Sequence, residues 1–217
     1  MSFSRILSDA NSKALKTEAE HPDVAIRVMS LPCGLTCHFA GLCFLGCYAT
    51  KGHQGMPSCR RAYMENLTMV QDGTFFPQLD AELTLFGLWA SRNDKTPYVR
   101  LHDSGDFDSE VYLDNWLDVM RRHEDIHFYA YTKCVQWIKD RADRLPDNFT
   151  VVLSYGGTQD GLINPSKDRH AHVILKDANV PDGYTDASES EWPAMNPDVK
   201  NIAIHYHGNK KGVFNTL

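Results

Sequence analysis

Five of the six cysteines in this 217-residue chain lie in one short segment, and four of them are closely spaced. They follow the pattern Cys33-x3-Cys37-x5-Cys43-x3-Cys47, and Cys59 comes later in the same segment. Thiolates are soft ligands that bind zinc, copper(I) and iron–sulfur clusters. A compact run of cysteines among glycines is typical of an iron–sulfur cluster, because glycines let backbone N–H groups approach the cluster sulfurs. The segment therefore predicts a metal centre, and an iron–sulfur cluster fits its spacing best.

Two other interpretations stay open for these cysteines. Structural zinc sites pair ligands about two to four residues apart, which includes both x3 spacings, but they usually add a second pair after a longer gap. Cysteines also occur as small buried hydrophobic residues, although five in one segment would be unusual. We place His38 beside the site rather than among its ligands, and we interpret Cys134 as a buried thiol at the start of a helix.

The composition fits a single globular domain over residues 1–217, with a cluster-binding core at 25–160 and C-terminal strands and loops at 161–217. No apolar stretch approaches the roughly 20 residues that cross a bilayer, and the first residues lack the apolar core of a secretory signal. We therefore expect a cytoplasmic protein without a membrane partner, in a compartment that keeps thiols reduced. The formal net charge of −6 argues against a broad nucleic-acid surface but not against a local basic patch. The basic pairs Arg60-Arg61 and Lys210-Lys211 are short and typical of a solvated face.

Short apolar runs alternate with amphipathic stretches, which predicts a parallel sheet whose strands are joined by helices. The predicted strands are residues 25–30, 98–102, 127–131, 150–154, 172–175 and 202–206. The predicted helices are residues 58–71, 77–92, 109–123 and 135–144, with Ser58 as a helix cap and Pro77 at a helix start. Five apolar residues fall mostly on one face of the third helix, namely Val111, Leu113, Trp116, Leu117 and Met120. Residues 176–198, rich in Asp, Pro and Ser, are predicted to form a loop.

Polar residues collect where the predicted strands end. His102–Asp106 follow one strand, Tyr131–Lys133 follow the next, and Ser154–Gly157 follow the one after. The first strand ends at Ser30, and the last ends at His205–His207. Because ligands bind at the carboxyl ends of parallel strands, we expect a site at this edge of the sheet. Turn and capping chemistry explains the serines and glycines equally well, but it explains the histidine and the Tyr-Thr-Lys run less well.

Three segments resemble a known family. Residues 31–49, which contain the four closely spaced cysteines, are similar to the cysteine loop of a phage-encoded family named gene product eighty-eight. Arg100-Leu-His-Asp-Ser-Gly-Asp-Phe and Phe128-Tyr-Ala-Tyr-Thr-Lys resemble that family's other two signatures, in the same order and at similar spacing. The resemblance covers about residues 25–160, and the family itself resembles radical S-adenosylmethionine enzymes.

This resemblance implies an α/β fold, a partial parallel (β/α) barrel with the cysteine-rich loop after strand 1. It also implies a [4Fe–4S] cluster held by Cys37, Cys43 and Cys47, with the fourth iron left for the methionine part of S-adenosylmethionine. Polar residues at the strand ends would then bind this cofactor, namely His102, Asp103, Ser104, Gly105, Asp106, Thr132 and Ser154. Lys133 and Tyr155 would face the substrate as catalytic residues, and the sequence leaves that substrate unnamed.

The chain also departs from the radical-enzyme pattern. Its spacing of x5 then x3 differs from the usual x3 then x2, and Cys33 and Cys59 are additional thiols. Either thiol could occupy the fourth iron and exclude S-adenosylmethionine, and Cys33 is the stronger candidate because it lies on the same loop as Cys37. We therefore expect one of two functions for this phage or mobile-element protein. The first is a radical enzyme, and the second is a non-catalytic module that holds a structural or redox-sensing cluster or a zinc ion. Both are compatible with nucleic-acid binding. Zinc-assisted hydrolysis by His102 and Asp103 is a third.

Overall fold

The structure is a computed structural model that describes residues 5–206. Two parts of the sequence predictions, His207 at the end of the last strand and the basic pair Lys210-Lys211, lie outside these residues. No helix within residues 5–206 combines the length and the apolar character that crossing a membrane requires.

Helices and strands alternate along the described chain. The helices are α1 Ser12–Glu20, α2 Leu42–Leu45, α3 Pro57–Asp72, α4 Phe75–Arg92, α5 Glu110–Arg122, α6 Val135–Lys139 and α7 Trp192–Met195. The strands are β1 Ser8–Asp9, β2 Val24–Met29, β3 Thr96–Leu101, β4 His127–Thr132, β5 Phe149–Ser154, β6 His170–Ile174, β7 Thr185–Asp186 and β8 Asn201–His205. Short 3-10 turns occupy Tyr48–Thr50, Ala142–Arg144 and Asp160–Leu162.

All of these strands form one eight-stranded sheet in the order β1-β2-β3-β4-β5-β6-β8-β7. β1 pairs with β2 in the antiparallel direction, and every other neighbouring pair is parallel. The parallel strands therefore end at one common edge, the carboxyl edge of the sheet. No pairing among residues 5–206 joins the two outermost strands, β1 and β7, so the sheet is open. The predicted α/β class with a mostly parallel sheet is confirmed.

The two faces of the sheet pack against different helices, because successive side chains of a strand point to opposite faces. On one face, α3, α4 and α5 cover the larger core, which includes Phe75, Leu83 and Trp116. On the other face, α1 and α7 cover a smaller core that includes Ile26 and Val152. Each large apolar side chain buried in this way contributes roughly 1.5–3 kcal/mol. Both layers of helices are thus fixed to the sheet by apolar contacts.

The helix α5 shows how the sequence determines one of these elements. The Ser109 side chain is its N-cap and accepts a hydrogen bond from the backbone N–H of Tyr112 at 3.1 Å. Such a cap contributes about 1 kcal/mol to helix stability. Four of the five apolar residues predicted on its inner face are buried, but Val111 is 69% exposed. At about 100° per residue, Val111 falls on the opposite side of the helix from Trp116 and Met120, so that part of the prediction is wrong.

Three predicted helix boundaries are also wrong by a few residues. The helix α3 begins at Pro57, because proline is favoured at the first helical position, and Ser58 is therefore inside the helix rather than its cap. The helix α4 begins at Phe75, which places Pro77 within its first turn. The helix α6 ends at Lys139, well before the predicted end at residue 144.

The predicted loop at residues 176–198 contains two short elements, the edge strand β7 and the helix α7. Elements of two and four residues are too short to leave a periodic pattern in the sequence. Tertiary contacts hold α7 in place instead, since the Arg169 guanidinium donates to the backbone carbonyl oxygens of Pro193, Ala194, Asn196 and Val199.

Candidate metal and cofactor site

Residues 31–56 connect β2 to α3 and lie over the carboxyl edge of the sheet; we call this segment the cysteine loop. Its start is tied to the turn after β3, where the backbone N–H of Leu31 donates to the carbonyl oxygen of Ser104 at 2.9 Å. Its middle is tied to the turn after β5, where the N–H groups of Gly41 and Cys43 donate to the carbonyl oxygen of Gly156 at 3.2 and 3.0 Å. These backbone bonds hold the cysteine loop above the polar strand ends.

Close packing under the cysteine loop requires glycine at two strand-end positions. Gly105 has a φ of +85°, and a Cβ there would lie 2.7 Å from Thr36 Oγ1 and 2.8 Å from the carbonyl oxygen of Leu31. A Cβ on Gly157 would lie 2.8 Å from the carbonyl oxygen of Phe39. A side chain at either position would push the loop away from the sheet. Gly105, predicted to bind a cofactor, thus lies against the backbone of the cysteine loop.

Four thiols of the cysteine loop share one electrostatic environment. Burial raises the pKa of Cys37 to about 12, a hydrogen bond from the Gly34 N–H at 3.5 Å opposes the rise, and Asp106, Cys47 and Cys43 add to it. Burial also raises the pKa of Cys47 to about 11, and the charge of the neighbouring Cys33 thiolate is the next largest cause. Cys33, Cys37, Cys43 and Cys47 are all partly exposed. The structure therefore places the four predicted ligand cysteines on one loop, within electrostatic reach of one another.

The other two cysteines have different surroundings. The Cys59 sulfur lies 3.7 Å from Nδ1 of His53, at the far end of the cysteine loop. Cys134 is buried as the N-cap residue of α6, and its thiol donates to the carbonyl oxygen of Phe107 at 3.7 Å. The predicted role of Cys134 as a buried thiol at a helix start is confirmed.

The four thiols have the ligand chemistry of an iron–sulfur cluster and lie on one loop. Among residues 5–206, no three His, Cys, Asp or Glu side chains are grouped closely enough to hold a metal ion, so the sulfurs would have to draw together around one. Partly buried thiols beside other thiols resist ionisation, whereas a bound metal stabilises the thiolate form. Cys37, Cys43 and Cys47 could each hold one iron, and Cys33, in contact with Cys47, could hold a fourth.

Asp106 lies buried beneath the cysteine loop, with its carboxylate engaged by donors of the protein. Oδ1 accepts from Thr132 Oγ1 at 2.7 Å and from the N–H of Phe107 at 2.9 Å, and Oδ2 accepts from the N–H of Lys133 at 2.9 Å. Burial raises the pKa of Asp106, and these hydrogen bonds oppose that shift. The Asp106 N–H donates in turn to Thr36 Oγ1 at 3.3 Å. Asp106 therefore joins two strand ends to the cysteine loop.

Other predicted cofactor residues also bond within the protein. Ser30 Oγ accepts from the N–H of Ser104 at 3.2 Å, and Lys133 Nζ donates to Ser154 Oγ at 2.9 Å. Together with Asp106 and Thr132, these contacts form a continuous hydrogen-bonded group along the carboxyl edge. Tertiary hydrogen bonds between strand ends therefore occupy these residues, rather than local turn or capping bonds.

His102 is buried with a φ of +56°. Its Nε2 lies 3.4 Å from the Tyr112 hydroxyl, and its ring packs edge-on against Phe107 with centroids 4.6 Å apart. Burial lowers the pKa of His102 to about 3, so the ring is neutral at neutral pH. Within the described chain, His102 Nδ1 and Ser104 Oγ have no hydrogen-bond partner. These two atoms are the members of the predicted cofactor set best able to bind a ligand.

Asp103 fastens the cysteine loop to the rest of the molecule. Its carboxylate accepts from Arg100 Nη1 at 3.0 Å, from Asn11 Nδ2 at 3.1 Å and from Gln54 Nε2. The hydroxyl of Tyr48, the residue after the last clustered cysteine, donates to the carbonyl oxygen of Asp103. Burial of that hydroxyl raises the pKa of Tyr48 well above its usual value, although other parts of the side chain are exposed. Asp103 thus acts as an anchor for the loop.

Sequence reasoning missed the buried ion pairs that support this anchor. Arg100 Nη1 also pairs with Glu191 Oε1, and Lys13 Nζ lies 3.5 Å from the same oxygen. The sequence did indicate a buried ion pair at Arg100, because a charged residue inside an apolar strand needs a buried partner. Glu191 and Lys13 gave no such signal, because only the fold brings α1 and α7 to this face of the sheet.

The two predicted catalytic residues lie on neighbouring strand ends. Lys133 extends its amine to Ser154, as described above. The ring of Tyr155 stacks on His172 with centroids 3.8 Å apart and meets His170 edge-on at 5.6 Å. Burial, followed by the neighbouring His170, lowers the pKa of His172 to about 4. Lys133 and Tyr155 share the carboxyl edge with the cysteine loop, and their catalytic role stays a prediction.

The fold and this edge define a class, an α/β protein with a mostly parallel sheet and a cysteine-bearing loop over its strand ends. A family profile described as Gene product 88 matches residues 5–212, so the chain belongs to the Gene product 88 family. The family resemblance seen in three sequence segments is confirmed, whereas the relationship to radical S-adenosylmethionine enzymes stays a prediction. Neither the curated proteins nor the solved structures contain a match to this chain.

Proposed function

We propose that this phage-type protein binds an iron–sulfur cluster, a [4Fe–4S] cluster, through Cys37, Cys43 and Cys47. One observation carries the proposal: four partly buried thiols lie on one loop over the carboxyl edge of a parallel sheet, within electrostatic reach of one another. A set of ligands made only of thiols on a single loop favours a cluster over structural zinc, which usually takes its ligands from two separate pairs. A reducing cytoplasm, the expected compartment, would keep these thiols available.

The proposal includes a partial (β/α) barrel related to that of radical S-adenosylmethionine enzymes. Two features support it. β2 is the first strand of the parallel part of the sheet, and the cysteine loop follows it directly. The residues that continue from β3 and β4 at the same edge, Asp106 and Thr132, pack beneath that loop.

We assign the fourth iron to Cys33. Cys33 contacts Cys47, whereas Cys59 lies beside His53. A cluster with four thiolate ligands has no position for an amino-carboxylate, and the strand-end carboxylates Asp103 and Asp106 are already engaged by the protein. The favoured function is therefore a structural or redox-sensing cluster module. When bound, the cluster supplies one-electron chemistry and ties the loop together.

A radical-type enzyme is the second candidate, favoured by the two buried atoms without partners, His102 Nδ1 and Ser104 Oγ. In that case both atoms would contact S-adenosylmethionine, and Lys133 and Tyr155 would face the substrate. This candidate requires that Cys33 leaves the fourth iron.

An alanine series tests the cluster proposal. Cys33, Cys37, Cys43, Cys47, Cys59 and Cys134 are replaced one at a time, and each variant is reconstituted anaerobically with iron and sulfide. Cys37→Ala, Cys43→Ala and Cys47→Ala should lose the broad visible absorption of the cluster, while Cys59→Ala and Cys134→Ala should keep it. If Cys134→Ala lost the absorption as completely as Cys47→Ala, the ligand assignment would be wrong.

The fourth iron is tested by adding S-adenosylmethionine to the reduced cluster and recording its electron paramagnetic resonance spectrum. With Cys33 as a ligand, the wild-type spectrum should not change, and a shift should appear only in Cys33→Ala. A shifted wild-type spectrum with formation of 5′-deoxyadenosine would instead establish the enzyme.

A further inference from the structure

The outer surface of the cysteine loop is apolar at its centre. Leu35, Leu42, Phe44 and Met56 are each at least half exposed. The Phe44 ring lies over Gly34, where a Cβ would be 2.9 Å from it, which places Phe44 beside the residue that precedes Leu35. Large apolar side chains grouped on a surface mark an interaction site. We call this set of four side chains the loop patch.

Charge around the loop patch is the reverse of the charge on the whole protein. Residues 31–64 contain three of the 22 Lys and Arg residues and none of the 28 Asp and Glu residues, so the segment carries +3 and the rest of the chain −9. All three cations, Lys51, Arg60 and Arg61, are exposed. Arg61 makes one exposed contact with Glu65 at 3.9 Å. The cysteine loop and the start of α3 together, residues 31–64, therefore form a basic region on an acidic protein.

Two of the cations lie beside the turn that follows Cys47. Arg60 Nη2 donates to the carbonyl oxygen of Thr50 at 3.3 Å, which places Arg60 beside the turn that follows Cys47. Lys51 is the next residue after Thr50. An apolar centre with a charged rim is the usual anatomy of a protein–protein interface.

We propose that the loop patch docks an acidic segment of a partner protein, one with apolar side chains flanked by Asp or Glu. Carboxylates of the partner would face Lys51, Arg60 and Arg61, and its apolar side chains would cover Leu42 and Phe44. DNA fits less well, because a duplex extends beyond a region with three cations and its phosphates would meet the −9 charge of the remaining chain. A broad anionic membrane would also meet the −9 charge of the remaining chain, whereas a small acidic segment contacts the basic region alone.

This proposal goes beyond cluster binding and does not require iron, because it rests on the outer surface of the loop. A docked partner would cover the segment that carries Cys37, Cys43 and Cys47, and it would thereby control access to them. Iron content is measured on the same sample, so failure of the cluster and failure of docking are observed separately.

Two synthetic peptides with identical Leu and Phe positions test the proposal, one with Asp and Glu at its polar positions and one with Lys. Binding to the full chain is followed by fluorescence anisotropy at low and at physiological salt, beside a short DNA duplex and phosphatidylserine vesicles. The acidic peptide should bind at least about tenfold more tightly than the basic one, and salt should weaken it. Equal affinity of the two peptides would overturn the proposal, as would tighter binding of DNA or vesicles.

Matched variants locate the site. Charge reversal by Lys51→Glu with Arg61→Glu, or loss of apolar surface by Leu42→Ser, should weaken the acidic peptide by about tenfold or more. Arg92→Glu with Lys167→Glu changes the same charge away from the loop, and Leu88→Ser removes a leucine of similar exposure on α4. These controls should bind as the wild type does. Equal weakening by the controls would contradict docking at the loop patch.

Discussion

The cysteine loop and the strand ends beneath it differ in burial and in hydrogen bonding. Thiols of the loop are partly exposed, and exposed apolar side chains lie on the same loop. Burial, with a contribution from neighbouring thiols, raises the pKa of Cys37 and Cys47. Strand-end residues such as Asp106 and Thr132 are buried and hydrogen-bonded to each other. Soft thiol ligands thus lie on the loop, and hard polar groups lie in the buried, hydrogen-bonded layer beneath it.

This difference distinguishes residues that could bind a metal or cofactor from residues that support the loop, which residue types alone do not distinguish. His102, Asp103 and Asp106 have the chemistry of cofactor ligands, yet Asp103 and Asp106 use it to anchor the loop. Cys37 accepts one hydrogen bond, from the Gly34 N–H at 3.5 Å, whereas the Asp106 carboxylate accepts three. We infer that the strand ends position the loop and that the loop binds the metal.

The largest expected effect comes from the buried ion pairs under the anchor. Arg100→Met should destabilise the protein by about 3–5 kcal/mol, because it leaves the carboxylates of Asp103 and Glu191 buried without their shared cation. Unfolding in urea measures the change. Arg92→Met, at an exposed position on α4, is the control and should change stability by less than about 0.5 kcal/mol. Similar values for both variants would show that the anchor contributes nothing.

A smaller effect is expected for the carboxylate beneath the loop. Asp106→Ala should cost about 2–3 kcal/mol, since Thr132 Oγ1 and the N–H of Lys133 lose a buried acceptor. The exposed Asp118, paired with Arg121, provides the control Asp118→Ala, which should cost less than about 1 kcal/mol. Thermal and urea unfolding of apoprotein would detect the difference, and equal costs would place Asp106 outside the support of the loop.

The buried imidazole predicts a dependence of stability on pH. The pKa of His102 falls to about 3 in the folded state, so between about pH 6.5 and 3 the unfolded state binds more protons. Above pH 6.5 His102 is neutral in both states and the free energy of unfolding is at its full value. As the pH falls below 6.5, proton uptake by the unfolded state lowers the free energy of unfolding, by up to about 1.4 kcal/mol per pH unit. His102→Asn, which tolerates the positive φ, should reduce the slope of unfolding free energy against pH by about one proton. Identical slopes in both proteins would mean that His102 titrates normally.

The smallest effect separates the buried thiol from the ligand thiols. Cys134→Ala should lower stability by about 1 kcal/mol through loss of buried volume, without changing the iron content of reconstituted protein. Cys37→Ala should remove the iron and should change the stability of the apoprotein little. If Cys134→Ala lost the iron and Cys37→Ala kept it, Cys134 would be the ligand and Cys37 would not.

Much of the fold was predictable because it depends on local patterns. Apolar runs predicted β2 to β5 within two residues at each end, and the cysteine spacing located the loop. The engagement of Asp106 was not predictable, since its partner Thr132 comes from another strand. Nor was the burial of His102, which depends on Tyr112 of α5. Contacts between distant segments decide whether a polar residue binds a ligand or supports the fold.

The most direct test of the central claim is the iron and acid-labile sulfide content of anaerobically purified protein. If the loop binds the cluster, wild type should contain about four iron and four sulfide per chain, and the variant with Cys37, Cys43 and Cys47 all replaced by alanine should contain neither. A wild type that holds zinc and cannot be reconstituted with iron and sulfide would contradict the account, as would a triple variant that keeps its iron.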